Sequence, residues 1–305
     1  MHLPRPLRVL LFSSFCLSQS ALAIILVGGD NLINITDPGF DLPWDQVARV
    51  TNASGSHKTS GSAVYLGGGY MLTANHVGLG QGYVSFDGTT TYAIQADSGV
   101  QVGSGVDLKV FQLTAAPGFS GVNLFPEAFK GFESTSSTMV GWGVGVSDDP
   151  LDTSNPWSWG DSSTSVKRWG TNTIGAATIV SYSGYSYEAL VTSLGIGEGS
   201  FEAAATVYDS GSALFVQDGA ANWYLAGMPT VVENNSISNF GTDTFDPSDP
   251  TRGDFNYFAR ISEYQEEITA LMTDPIVVPE PAMSALLIGL MASGLLLVRR
   301  RKRAD

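Results

Sequence analysis

The chain has 305 residues, of which 14% are charged, 43% are hydrophobic and 35 are glycine. That balance excludes a disordered chain, which is charge-rich and apolar-poor, and the scarcity of Lys and Glu beside abundant Gly, Thr, Val and Ser predicts short strands and many turns rather than helices. Residues 24–281 hold 8 basic against 28 acidic residues, a net charge of −20, which argues against binding a phosphate backbone, and the one cysteine, Cys16, excludes disulfides and thiol chemistry after it.

Residues 1–23 read as a secretory signal: Arg5 and Arg8 are the basic start, Val9 to Phe15 the apolar stretch and Ala21-Leu22-Ala23 the cleavage site. Next come hairpin signatures. Ser62 to Leu66 ends at Gly67-Gly68-Gly69 and resumes as Tyr70 to Thr73; Tyr83 to Phe86 ends at Asp87-Gly88 and resumes as Thr89 to Ile94. Leu108 to Leu113 is another strand, ending before Pro117-Gly118, and Ala213 to Val216 and Trp223 to Gly227 bracket Gln217-Asp218-Gly219. Ser147 to Thr164 reads as a long surface loop. Thr242 to Asp254, with Asp243, Asp246, Asp249 and Asp254, reads as a solvated acidic loop whose spacing is not that of an EF-hand. Ile261, Tyr264, Ile268 and Leu271 or Met272 predict a short amphipathic helix over Arg260 to Met272, stopped by Pro275. The chain closes with Val278-Pro279-Glu280-Pro281, an apolar run over 282–298 at the short limit for a spanning helix, and the basic cluster Arg299 to Arg303.

Three short motifs carry chemistry. In Leu72-Thr73-Ala74-Asn75-His76-Val77 a histidine follows a strand and is placed to accept a proton. In Val106-Asp107-Leu108-Lys109-Val110-Phe111 an acid opens an apolar strand, where a buried carboxylate needs a partner such as a histidine N–H. In Tyr208-Asp209-Ser210-Gly211-Ser212 a serine sits on a tight turn feeding an apolar strand. The only other histidine after the signal, His57, lies in a polar loop and is expected to face water; two histidines are too few for a zinc site of the His-rich kind, and no metal or cofactor is expected.

The order His, Asp, Ser separates the chymotrypsin-type arrangement from its convergent relatives. Thr73 to His76 resembles the Thr-Ala-Ala-His box of the trypsin-like serine proteases, Asp107 with its strand their Asp-Ile-Ala-Leu, and Asp209-Ser210-Gly211-Ser212 their Gly-Asp-Ser-Gly-Gly turn. Val140 to Gly143, Leu225 to Thr230 and Phe258 to Tyr264 resemble flanking segments, so the likeness spans residues 45–272. It implies an all-β fold, a double six-stranded β-barrel of the chymotrypsin type with a short C-terminal helix, occupying 24–274 with a barrel boundary near 130–140. It also implies a serine endopeptidase acting on a peptide or protein substrate: His76, Asp107 and Ser210 as triad, the backbone N–H groups of Tyr208 and Ser210 as oxyanion hole, and Ala204 and Thr230 as substrate-binding positions. Tyr208 stands where the family prefers glycine, which favours an alternative: a catalytically silent protease fold that binds at a surface or in extracellular matrix. An esterase using the same triad is chemically open. Ala204 brings no acid to the specificity position, so small or apolar substrate side chains fit better than Lys or Arg. Leu26-Val27-Gly28-Gly29 resembles the N-terminus of activated members, whose ammonium would pair with Asp209, yet cleavage after Ala23 leaves Ile24 two residues early.

The tail over 275–305 resembles the PEP-CTERM sorting signal of Gram-negative bacteria, in motif, span and basic cluster. The resemblance implies signal peptidase and an exosortase-type enzyme as partners, a transient inner-membrane anchor at 282–298, and final residence at the cell surface or in extracellular matrix.

Overall fold

Glycine punctuation and apolar runs shape the chain into strands. The computed structural model describes residues 24–26, 33–126, 134–145, 161–193, 201–232 and 255–273; the signal 1–23, the tail with its span 282–298, the acidic loop 242–254 and most of Ser147 to Thr164 lie outside them.

The described chain enters on β1 (Ile25–Leu26). Then come β2 (Val47–Thr51), β3 (Ser62–Gly67), β4 (Tyr70–Thr73), β5 (Tyr83–Ser85), β6 (Thr91–Ala93), β7 (Val100–Gln101) and β8 (Lys109–Gln112), hydrogen-bonded in the order β6-β5-β2-β3-β4-β8-β7. An Ile94–Leu113 bridge, with Gln95 N–H on Gln112 O at 2.8 Å and Thr114 N–H on Ala93 O at 2.9 Å, joins the end of β6 to the end of β8. Six strands therefore close a barrel, and the two-residue β7 rides on its edge.

The second sheet comprises β9 (Asn123–Leu124), β10 (Thr135–Gly141), β11 (Arg168–Tyr182), β12 (Tyr185–Ser193), β14 (Ala213–Gln217), β15 (Trp223–Val232) and β16 (Phe255–Arg260), while β13 (Ala203–Ala204) pairs with β1. Its order is β14-β10-β11-β12-β16-β15-β9, and a β14–β15 pairing closes six of the strands into a ring with β9 outside. The expected pair of six-stranded barrels is thus present.

Three apolar clusters explain the strand sequences. One fills the first barrel, with Ala48, Ala63, Tyr65, Met71 and Phe111. One fills the second, with Met139, Leu190, Leu214, Val216, Ala226 and Phe258. A third lies between them and joins Val47, Val64, Leu72 and Val110 to Val140, Ala213, Phe215, Leu225 and Met228. Alternate residues of β2, β3, β4 and β8 therefore point into different cores. Both faces of β3 and β4 are buried almost throughout, so these two strands read as near-continuous apolar runs rather than alternating ones.

The C-terminal helix starts later than expected. Arg260 is still strand, paired with Gly227 of β15; Ile261–Tyr264 form a 3-10 turn, and α1 runs Gln265–Thr273. The spacing of Ile261 and Tyr264 suits a 3-10 turn as well as an α-helix, because both bring residues three apart onto one face.

Candidate active site

The turn after β4 carries His76 and is held from three directions. Asn75 N–H donates to Asp107 O at 3.2 Å. The Lys109 ammonium donates to the carbonyls of Asn75 and Val77, at 2.7 and 3.2 Å, bracketing the histidine. Asp107 supplies the rest: Oδ1 accepts the His76 backbone N–H at 2.9 Å and Oδ2 accepts His76 Nδ1 at 2.5 Å. An ionised carboxylate only accepts, so Nδ1 carries the hydrogen and Nε2 keeps its lone pair. Asp107 is fully buried whereas the His76 side chain is 40% exposed, an acid hidden behind an accessible imidazole. Burial pushes the Lys109 ammonium below its ordinary value, against the pull of Asp107.

Asp107 Oδ2 has a second donor, the hydroxyl of Tyr182 at the end of β11. Burial first, and this hydrogen bond second, raise the Tyr182 phenol far above its ordinary range. Behind it the Tyr187 hydroxyl meets Thr230 Oγ1 at 2.5 Å, and burial pushes Tyr187 up to about 12.

Ser210 comes from the other barrel. Its turn precedes β14 and docks on β3 and β4. Ser62 N–H donates to Ser210 O at 2.8 Å, and Gly211 N–H donates to Pro229 O at 3.0 Å. Gly211, at φ +84°, lies so close to Ser62 O and Thr73 Oγ1 that a Cβ would overlap both, so only glycine fits. A Cβ at Gly61 would meet Val77 at 2.8 Å and Ser210 O at 2.9 Å, which sets the serine turn against the residue next to His76. Among the described residues no hydrogen bond joins Ser210 Oγ to His76; such bonds commonly tighten only around a substrate.

The two expected oxyanion donors are free. Among the described residues no acceptor takes the backbone N–H of Tyr208 or of Ser210. Tyr208 adopts φ +70°, the left-handed conformation its position asks of glycine. The following Asp209 anchors the turn from inside: its carboxylate accepts Gly143 N–H at 2.7 Å, Thr206 N–H at 2.9 Å and Thr206 Oγ1 at 3.1 Å. Burial pushes Asp209 up to about 6 despite these donors. The opposing charge it feels is Arg168, itself fully buried and pushed down to about 8 by desolvation.

The remaining expected residues are placed as follows. Ala204 lies in β13, registered against Ile25 of β1. Thr230 is buried, its hydroxyl turned inward onto Tyr187. His57 is half-buried, its ring bonded to Ser60 Oγ at 2.9 Å in the 52–60 loop. Among the described residues no group of three His, Cys, Asp or Glu side chains could hold a metal ion. Sequence reasoning missed Tyr182 and the clamp of Lys109. The one signal for the former was Tyr182-Ser183-Gly184-Tyr185, a Ser-Gly turn flanked by aromatics.

No protein-family model matches the chain, and no curated protein matches it. Solved structures resemble it at low identity. The HtrA-type protease AlgW with a decapeptide is 20% identical, over 70% of this chain and 52% of its own, at a TM-score of 0.44; the chain thus spans about half its length. The protease Rv3671c from M. tuberculosis, in its active form, is 11% identical over 74% of this chain and 79% of its own, at a TM-score of 0.47. The passenger domain of the plasmid encoded toxin from enteroaggregative Escherichia coli is 16% identical over 71% of this chain and 22% of its own, also at 0.47.

Proposed function

We propose that the chain is an exported serine endopeptidase working through an acyl-enzyme. The observation that carries this reading is the buried Asp107 holding Nδ1 of an accessible His76 at 2.5 Å, beside a turn that presents Ser210 with unused N–H groups on either side of Asp209. Ser210 Oγ attacks the scissile carbonyl, His76 Nε2 takes its proton and returns it to the leaving amine, and Asp107 stabilises the imidazolium. The N–H groups of Tyr208 and Ser210 receive the developing oxyanion. The absence of an acid at Ala204 favours substrates with small or apolar side chains at the cleavage site.

A fluorophosphonate probe tests the reading directly. Wild type takes the label; Ser210→Ala loses it and cuts peptide turnover by roughly 10⁴-fold or more, with His76→Ala close behind and the double variant little worse. An unlabelled, inactive wild type would instead favour a silent fold that binds at the surface.

Export rests on Ala21-Leu22-Ala23, and sorting on Pro279-Glu280-Pro281 with its span and basic cluster. The chain would be cut by signal peptidase, held in the inner membrane through 282–298, and released by an exosortase-type enzyme to the surface or matrix of a Gram-negative cell. Intact-mass analysis of the surface form then finds neither 1–23 nor Arg299–Arg303. Surface protein that still carries the basic cluster overturns the sorting claim.

A further inference from the structure

The longest element in the described chain is the β11–β12 hairpin, and its tip crosses to the other barrel. Tyr182 pairs with Tyr185 around a two-residue turn, with Ser183 at φ +48° and Gly184 at φ +90°. Two positive φ values in succession define the turn whose twist matches paired strands, so the tip is a rigid end rather than a loose loop. Three contacts dock it on the first barrel. Ser186 N–H donates to Gly105 O at 2.7 Å, two residues before Asp107. Asn75 Nδ2 donates to the Tyr185 hydroxyl at 2.9 Å, one residue before His76. The Tyr182 hydroxyl donates to Asp107 Oδ2. The Tyr182 ring is itself fixed between Tyr185, at 5.6 Å, and Tyr187, edge-on at 6.3 Å.

We propose that Tyr182 is a positioning residue for the His76–Asp107 pair, supplied across the barrel interface by the hairpin tip. The proposal rests on the hydrolase reading above and deepens it. A carboxylate has one rotation to fix and one charge to share. Oδ1 is committed to the His76 backbone N–H, which sets one end of the group. At the other end Oδ2 faces two donors, the imidazole Nδ1–H and the phenol O–H. The phenol holds Oδ2 in place for the imidazole and withdraws part of its charge. How strongly Asp107 favours the imidazolium, and so how readily Nε2 accepts the serine proton, depends on that withdrawal. The other titratable groups that feel Asp107 are Lys109 from β8 and Tyr187 from β12, and neither bonds it directly. The Tyr187 hydroxyl is engaged by Thr230 and the Lys109 ammonium by two carbonyls. Tyr182 is therefore the one side chain besides His76 that donates to this carboxylate among the described residues.

Tyr182→Phe removes the donor and keeps the ring. In the full chain, the acid limb of the kcat/KM profile moves to higher pH, because the unshared carboxylate holds the imidazolium more firmly. kcat falls roughly tenfold while KM stays within about twofold, because a carboxylate no longer held at Oδ2 leaves the imidazole misaligned in the transition state, a loss that outweighs its greater basicity. The His76 Nδ1–H proton resonance moves downfield as its remaining bond to Oδ2 strengthens. Replacing Tyr182 with 3-fluorotyrosine, a stronger donor of nearly the same size, moves limb and resonance the other way. Tyr185→Phe, which loses the Asn75 contact but not an Asp107 contact, leaves the limb in place.

A folded Tyr182→Phe protein whose limb, kcat and resonance all stay put overturns the proposal, as does a fluorotyrosine shift in the same direction as phenylalanine. Should Tyr182→Phe fail to fold, the fluorotyrosine chain still decides. The resonance does not require turnover, so the two readings fail separately. A wild type that takes no fluorophosphonate label overturns the hydrolase; an unmoved resonance overturns the role of Tyr182.

Discussion

Tyr208 and Asp209 show how single residues shape the serine turn at a cost. A tyrosine at φ +70° gives up roughly 1–2 kcal/mol relative to ordinary backbone angles. That strain is borne because the turn is fixed from inside by the Asp209 carboxylate and from outside by Gly211 against β3 and β4. Asp209 also makes stability depend on pH. Its folded value of about 6 lies above the ordinary 3.8, so the folded chain holds this proton more tightly than the unfolded one. The stabilisation is complete below pH 3.8 and is lost as pH rises through 6. The whole effect is roughly 3 kcal/mol, of which roughly 1.4 kcal/mol falls between pH 5 and pH 8. Urea unfolding of wild type and Asp209→Asn at both pH values reads it: the wild type loses stability relative to the variant on going to pH 8. A difference that stays constant with pH would show that Asp209 does not titrate in that window.

At the scale of elements, legibility followed locality. The hairpins at 62–73 and 83–93 stand where they were expected, because Gly67-Gly68-Gly69 and Asp87-Gly88 mark their turns in the sequence itself. The β11–β12 hairpin was not foreseen. Its first strand contains Gly170, Asn172 and Gly175, residues that ordinarily weaken a strand. Here Asn172 is not a defect: its side-chain amide donates to Ser193 O and Ala203 O, both at 2.9 Å, and ties β11 to β12 and β13. Gly170 leaves room where a Cβ would overlap Ala203. Such compensation is tertiary and leaves no periodic trace. The site divides the same way. His76, Asp107 and Ser210 could be singled out as candidates because each sits in a short motif with a local reason. The donor Tyr182 lies 75 residues from the carboxylate it bonds, and no local pattern joins the two.

At the scale of the whole molecule, the third apolar cluster makes the two barrels one folding unit. Strands of both barrels bury one face in their own core and the other in the shared one. Trp142 pins that seam. Its indole N–H donates to Val47 O at 3.1 Å and its backbone N–H to Ser62 Oγ at 3.3 Å, both in the first barrel, while Ser165 Oγ donates to its carbonyl at 2.6 Å. The Arg49 guanidinium lies 5.0 Å above its ring and the Lys167 ammonium 5.7 Å. Opening either barrel alone would expose its half of the shared core to water, at about 25 cal/mol for each Å² of apolar surface. The slowest amides of the two barrels, such as Met71 in β4 and Leu190 in β12, should therefore exchange with the same opening free energy. Trp142→Ala should lower both values together by about 3–5 kcal/mol, the usual loss for a large buried aromatic. Native-state hydrogen exchange measures both amides in one experiment. If the variant lowers only one barrel's value, or if the wild-type values already differ by more than the spread within each barrel, the barrels unfold separately and the shared core does not couple them.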